Sequence, residues 1–205
     1  MDDALLFAIV DYGMGNLISI KSLLNKLGHK CVITSKEAEI KTADFLILPG
    51  VGSFESAMLN IRELKLDVIL KEEVIENNKP VIGICLGMQL MFSGSDESAV
   101  GGLDWFNGYF ESFHQSDGAL PNLHIGWNQV SNGFRQENSE WDYFYFVHKY
   151  FLKETEGIKD LWTCNYGVNF IAGFRHENIV GFQFHPEKSH RGGLELLRQI
   201  IHEIR

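Results

Sequence analysis

The stretch Pro80-Val81-Ile82-Gly83-Ile84-Cys85-Leu86-Gly87-Met88-Gln89-Leu90 constrains this chain more than any other. An apolar run suited to a buried strand ends in Gly-x-Cys-x-Gly, and a helical segment follows at once, which is the layout of a nucleophile elbow with cysteine as the nucleophile. Gly83 and Gly87 let the chain turn sharply, so that Cys85 stands exposed at the strand end. There it faces the start of the next helix, whose dipole favours a thiolate. An ordinary buried thiol also fits these few residues, because free cysteine is commonly buried. The rest of the chain decides between the two.

The remaining pattern predicts an α/β fold with a mostly parallel central sheet flanked by helices. Apolar runs without alternation at 5–10, 31–34 and 45–48 suit strands covered on both faces. Amphipathic helical patterns lie between them at 17–27 and 54–76, the second with a break near Lys65. The Gly13-x-Gly15 turn lacks the third glycine of a dinucleotide fingerprint, since position 18 is Ile, and reads as a tight turn. After a helix at 86–92 and a loop at 93–98 the texture changes to aromatic and β-branched runs at 105–113, 125–130, 143–151 and 161–166. These predict an additional antiparallel or mixed strand region in the C-terminal half. A hairpin over 170–184 and a closing amphipathic helix over 193–204 complete the chain. No linker or repeat interrupts it, so residues 1–205 are expected to form a single domain.

Composition narrows the partners. A net charge of −9 argues against nucleic acid or an anionic membrane as the main one. Cys31, Cys85 and Cys164 are few and far apart, which disfavours a disulfide framework and points to a reducing cytoplasm. The first apolar run is too short to span a membrane, and the acidic Met1-Asp2-Asp3 before it is unlike a signal peptide. No metal-ligand spacing is present, and no cofactor is expected.

A second chemical motif is His185-Pro186-Glu187. In an extended segment, side chains at i and i+2 share a side, so the carboxylate can orient the imidazole as a triad requires. A parallel sheet delivers Cys85 and His185 to one edge if each follows the C-terminal end of a strand. Pro49-Gly50-Val51-Gly52 follows another strand end, and glycines on both sides of Val51 free its peptide to present an N–H to an oxyanion. The N–H of Leu86, directly after the cysteine, would be the other donor.

Gly83-Ile84-Cys85-Leu86-Gly87-Met88-Gln89 together with Gln183-Phe184-His185-Pro186-Glu187-Lys188-Ser189 resembles the class I, or triad, glutamine amidotransferases, which have a flavodoxin-like α/β fold. Four further stretches resemble the glutaminase subunit of imidazole glycerol phosphate synthase, a histidine-biosynthesis enzyme. They are 11–17, 48–54, Ile125-Gly126-Trp127-Asn128 and Tyr145-Phe146-Val147-His148. The resemblance implies hydrolysis of L-glutamine through a Cys85 thioester, with His185 as base and acid and Glu187 as its orienter. It implies glutamine binding by Gly52, Gln89, Glu97 and Tyr145. Asn16, Trp127 and Lys188 fall where the family meets its synthase and the ammonia passage opens. The implied partner is a cyclase subunit with a (β/α)₈ barrel, forming a heterodimer.

Some residues depart from the histidine-pathway pattern. Lys149 stands where that pattern has a small hydroxyl residue, and Trp105-Phe106-Asn107-Gly108 lacks its Ile-Pro-Gly. Cys164-Asn165-Tyr166-Gly167 and Ser189-His190 resemble a paralogous branch that supplies ammonia for amidino groups on bacterial surface sugars. A stand-alone cysteine hydrolase is a further alternative.

Overall fold

A computed structural model describes residues 4–113, 122–132 and 142–205. The Met1-Asp2-Asp3 flank lies outside the described residues. The first half alternates strand and helix: β1 (Leu6–Val10), α1 (Leu17–Lys26), β2 (Lys30–Thr34), α2 (Glu37–Thr42), β3 (Phe45–Leu48) and α3 (Phe54–Glu63). Then come α4 (Leu66–Leu70), a π-helical segment (Lys71–Glu76), β4 (Val81–Ile84) and α5 (Leu86–Gln89). The second half holds β5 (Phe92–Ser95), β6 (Phe106–Ser112), β7 (His124–Asn132), β8 (Tyr143–His148) and β9 (Tyr150–Leu152). β10 (Asp160–Asn165), β11 (Asn169–His176), β12 (Ile179–Phe182), a 3₁₀ turn (Pro186–Lys188) and α6 (His190–Glu203) finish it.

The strands order as β2-β1-β3-β4-β12-β11-β10-β7-β8. From β2 to β12 every pairing is parallel, and from β12 outward to β8 every pairing is antiparallel. This is the expected α/β fold with its appended antiparallel region. The apolar strands supply two cores by alternation. Phe7, Ile9, Phe45, Ile47, Ile82 and Ile84 face the side covered by α1 and α6. Ala8, Val10, Leu46, Leu48 and Val81 face the side covered by α2, α3 and α4.

The register brings the two chemical motifs together. β12 pairs with β4 so that Phe182 lies opposite Ile84, and both strands end at the same edge of the sheet. Cys85 and His185 follow those ends, one on each neighbouring strand. The hairpin that returns β12 to this place turns through Glu177-Asn178, with Glu177 at φ 52°. The Asn178 side chain donates to the Val74 and Lys79 carbonyls, both at 2.9 Å, tying the turn to the chain entering β4.

Several elements differ from the sequence expectation: α2 was not expected, and the 143–151 run splits at Lys149 into β8, paired with β7, and β9, paired with β6. The helix after Cys85 ends at Gln89 rather than Phe92, and 92–95 is a strand parallel to β6. Phe-Ser-Gly-Ser shows no apolar alternation. Phe92 nevertheless packs edge-on against Phe110 and Phe174, which draws the segment into the sheet. The 54–76 pattern breaks at Lys65 as expected, with φ 57° there, but its last turns are π-helical. The closing helix begins at His190 rather than Gly193. Gly193 lies inside its first turn because a Cβ there would come within 1.9 Å of the Pro186 carbonyl oxygen. The helix therefore packs backbone to backbone on the His-Pro-Glu turn and holds it in place.

Candidate active site

Cys85 sits at φ 52° and ψ −109°, a strained conformation for a residue with a side chain. Its N–H donates to the Phe182 carbonyl at 2.6 Å, so β12 holds the turn from the side. The glycines around it are steric necessities. A Cβ on Gly87 would lie 1.8 Å from the Leu48 carbonyl oxygen, and one on Gly83 would lie 2.9 Å from the Met88 nitrogen. α5 is only four residues long, so the dipole expected to act on Cys85 reduces to the few N–H groups of a single turn.

The His185 Nδ1 and the Glu187 carboxylate are 2.8 Å apart, and both side chains are almost wholly buried. A carboxylate only accepts, so Nδ1 carries a proton, and Nε2 is the nitrogen left for other contacts. Nε2 is buried, and the Cys85 sulfur acts on the ring. Burial alone pushes the imidazole pKa down. The charge and hydrogen bonding of Cys85, then those of Glu187, outweigh burial and push it up to about 10. A cationic His185 beside the Cys85 sulfur is the arrangement that activates a cysteine.

That shift fixes the sign of a pH effect. A native pKa raised above the ordinary 6.5 contributes stability that is complete below pH 6.5 and is lost as pH rises through about 10. NMR titration of the His185 ring should give a midpoint near 10, moving down in both Glu187→Gln and Cys85→Ala. A midpoint unmoved by either substitution would contradict this electrostatic origin.

The oxyanion candidates lie against the elbow. A Cβ on Gly50 would fall 2.5 Å from the Gly87 nitrogen, so the 49–52 loop is pressed onto the turn that carries Cys85. Gly52 takes φ 112°, and the Tyr12 hydroxyl donates to the Pro49 carbonyl beneath. Burial raises the Tyr12 pKa and the Cys85 charge raises it further, keeping the phenol protonated for that bond.

A cavity of about 830 Å³ opens here, walled by Asn16, Val51, Gly52, Cys85, Leu86, Gln89, Glu97, Lys149 and Lys188 among others. The wall draws on the loops after β1, β3, β4 and β8, at the C-terminal edge of the sheet where α/β folds hold ligands. Four expected residues stand outside it: His185 and Glu187, whose side chains are almost wholly buried, and Tyr145 and Trp127. Tyr145 works through its backbone: its carbonyl accepts the His185 N–H at 2.9 Å, and its N–H donates to the Ser189 hydroxyl at 3.0 Å. The Lys188 ammonium lies 5.6 Å from the centre of the Tyr145 ring. Trp127 lines a separate groove with Asn128, Cys164 and Asn165, and stacks on the His190 ring at 5.1 Å.

Residues not singled out by sequence complete the site. The Gln183 amide donates to the Cys85 sulfur at 3.7 Å and accepts from Gln89 at 3.1 Å, bridging nucleophile and pocket. Its position two residues before His185 was the available signal, since the i, i+2 rule that joins His185 to Glu187 extends back to it. Ser189 donates to the His185 carbonyl at 2.6 Å. His148 is buried, which pushes its pKa down to about 3, so the neutral ring donates from Nδ1 to the Tyr150 carbonyl at 2.8 Å. Its Nε2 lies 3.0 Å from His124 Nδ1, and His124 Nε2 lies 2.8 Å from the Asn128 amide oxygen. Among the described residues no cluster of His, Cys, Asp and Glu could hold a metal ion, and no helix is long and apolar enough to cross a membrane.

A strained cysteine at a strand–helix elbow, facing an imidazole and carboxylate on the neighbouring strand, defines a thiol hydrolase of the triad type. The chain belongs to the class-I glutamine amidotransferase family, whose profile matches residues 8–204. It is 45% identical over 202 residues to the imidazole glycerol phosphate synthase subunit HisH 2 of Vibrio vulnificus strain YJ016, covering 94% of this chain and 92% of that one. It is 41% identical over 204 residues to the imidazole glycerol phosphate synthase subunit HisH of Moorella thermoacetica, covering 97% and 95%. Among solved structures, that of PurLQS from Thermotoga maritima superposes with a TM-score of 0.74 at 16% identity, covering 99% of this chain and all of that one, a likeness of fold.

Proposed function

We propose that this chain is the glutaminase subunit of an imidazole glycerol phosphate synthase, releasing ammonia from L-glutamine for a (β/α)₈ cyclase partner in a heterodimer. The observation that carries the chemistry is the buried His185–Glu187 pair set beside Cys85, which itself lines a cavity large enough for an amino acid. Identities near 40% over nearly the full length to subunits named HisH support the pathway.

In this reading the Cys85 thiolate attacks the side-chain amide carbon of glutamine. The oxyanion that forms is met by the N–H groups of Val51 and Leu86, each donor being worth about 3 kcal/mol. The imidazolium gives its Nε2 proton to the amide nitrogen, which leaves as ammonia, and a γ-glutamyl thioester remains. The now neutral His185 takes a proton from water as it attacks the thioester. Glutamate leaves, and the thiolate–imidazolium pair is restored. Gly52, Gln89 and Glu97 hold the amino-acid end of the substrate, with Tyr145 closing the site. Asn16, Lys188 and Trp127 form the rim toward the synthase, and the half-exposed Ile125 and Tyr143 extend the surface around Trp127.

A second reading keeps this chemistry and changes the acceptor to a sugar that gains an amidino group. Residues that resemble that branch gather around one place: Cys164 and Asn165 share the groove of Trp127, and His190 stacks on it. The deciding assay supplies the chain with glutamine and either a (β/α)₈ cyclase with its phosphoribosyl formimino substrate or a sugar-modifying ligase with its sugar. Glutamate release that rises only with the cyclase, with the amide nitrogen in an imidazole product, is the expected result. Stimulation only by the ligase would move the protein to the sugar branch. Peptide hydrolysis without any partner would make it a stand-alone hydrolase.

A further inference from the structure

We propose that Lys149 holds the α-carboxylate of the glutamine substrate, across the cavity from Glu97, which holds its α-ammonium; the inference rests on the glutaminase reading above. Lys149 is the single residue between β8 and β9, and its backbone is fixed. Its carbonyl accepts the Phe113 N–H at 3.2 Å, and on either side His148 bonds to the Tyr150 carbonyl. With the main chain held, the exposed side chain is left to the cavity, whose wall it shares with Cys85 and Glu97.

The charges on that wall are arranged for a zwitterion. The Lys149 ammonium acts favourably on the Glu97 carboxylate, yet among the described residues it makes no ion pair within 4.0 Å. Two opposite charges thus line one cavity without neutralising each other. An amino acid presents its ammonium and carboxylate on one carbon, and it bridges two such groups where a plain amide bridges neither. Glu97 is anchored from behind, near the Ser53 hydroxyl and the Phe54 N–H at the start of α3. The other cation of the wall, Lys188, is engaged with the Tyr145 ring, which leaves Lys149 as the group facing Glu97. In a chain of net charge −9, a cation on the cavity wall also offsets the repulsion that a substrate carboxylate would meet.

The test compares L-glutamine with its α-amide, which keeps the ammonium and the scissile amide but lacks the α-carboxylate, using the full chain in complex with its synthase partner. Lys149→Met should raise KM for L-glutamine about tenfold with little change in kcat, as expected for loss of a charge-assisted contact made equally in ground and transition states. Lys149→Arg should retain the wild-type KM. For the α-amide, the wild-type and Met proteins should have the same KM. An unchanged KM for L-glutamine in Lys149→Met would overturn the proposal. An equal loss on both substrates would also overturn it, because Lys149 would then act on Glu97 and not on the substrate carboxylate. If the wild-type complex failed to hydrolyse glutamine at all, the glutaminase reading itself would fall, and this inference with it. Equal thermal midpoints of the variants check that the exposed substitution leaves the fold unaltered.

Discussion

Cys85→Ala should lower glutamine-dependent synthesis by about ten-thousandfold or more, because a residue of a catalytic unit is lost and the remaining groups cannot form a thioester. Synthesis from added ammonium salts should continue unchanged, since ammonia enters after the step that Cys85 performs. The contrast is more informative than the loss. A variant that loses both activities has a damaged partner interface or fold, whereas loss of the glutamine-dependent rate alone locates the defect in the hydrolytic step. The substitution also removes the thiolate that helps hold His185 as a cation, so the imidazole pKa falls in the same protein. Substitution by alanine leaves the strained φ of 52° in place, so little gain in stability is expected to mask the effect. Glutamine-dependent synthesis at the normal rate in this variant would remove Cys85 from the chemistry.

Gly87→Ala should have the largest effect on the fold. A methyl group at this position meets the Leu48 carbonyl oxygen at 1.8 Å and its carbon at 2.7 Å, both backbone atoms of a central strand that cannot swing aside. Overpacking against fixed atoms costs about 3 kcal/mol, which in a chain of this size lowers Tm by roughly 6–12 °C. Relief would require β3 and the elbow to move apart. The 49–52 loop would move with β3, so the proposed donors at Val51 and Leu86 would separate and kcat would fall as well. Gly28→Ala is the comparison, because its position has open space around the missing Cβ and only its φ of 89° opposes the change. A Gly87→Ala protein as stable and as active as the wild type would contradict the packing that holds the elbow against β3.

The site was legible in sequence where short-range geometry dictates it. Gly83 and Gly87 around a cysteine announce a sharp turn, and His185 with Glu187 announces a pair on one side of an extended segment. The two motifs lie a hundred residues apart, and no local pattern states that β12 returns to pair with β4. That pairing depends on the antiparallel excursion through β6 to β11 and on a hairpin whose turn residue takes a positive φ. β5 was not legible because Phe-Ser-Gly-Ser carries neither alternation nor β-branched residues, and only the packing of Phe92 on Phe110 and Phe174 makes it a strand. Gly193 resembled a helix boundary, since glycine is a poor helix former. The close approach of Pro186 places it inside the helix instead. Lys149 could be recognised in sequence as a departure, but that its side chain shares a cavity with Glu97 is a fact of the tertiary structure.

The central claim is that Cys85 carries the acyl group of glutamine. Rapid acid quenching of the protein with L-glutamine, followed by proteolysis and mass spectrometry, tests it directly. The account predicts a γ-glutamyl thioester on the peptide that contains Cys85, absent when His185 or Cys85 is replaced by alanine. An adduct on Cys31 or Cys164, or steady glutamine hydrolysis by the Cys85→Ala protein, would contradict it.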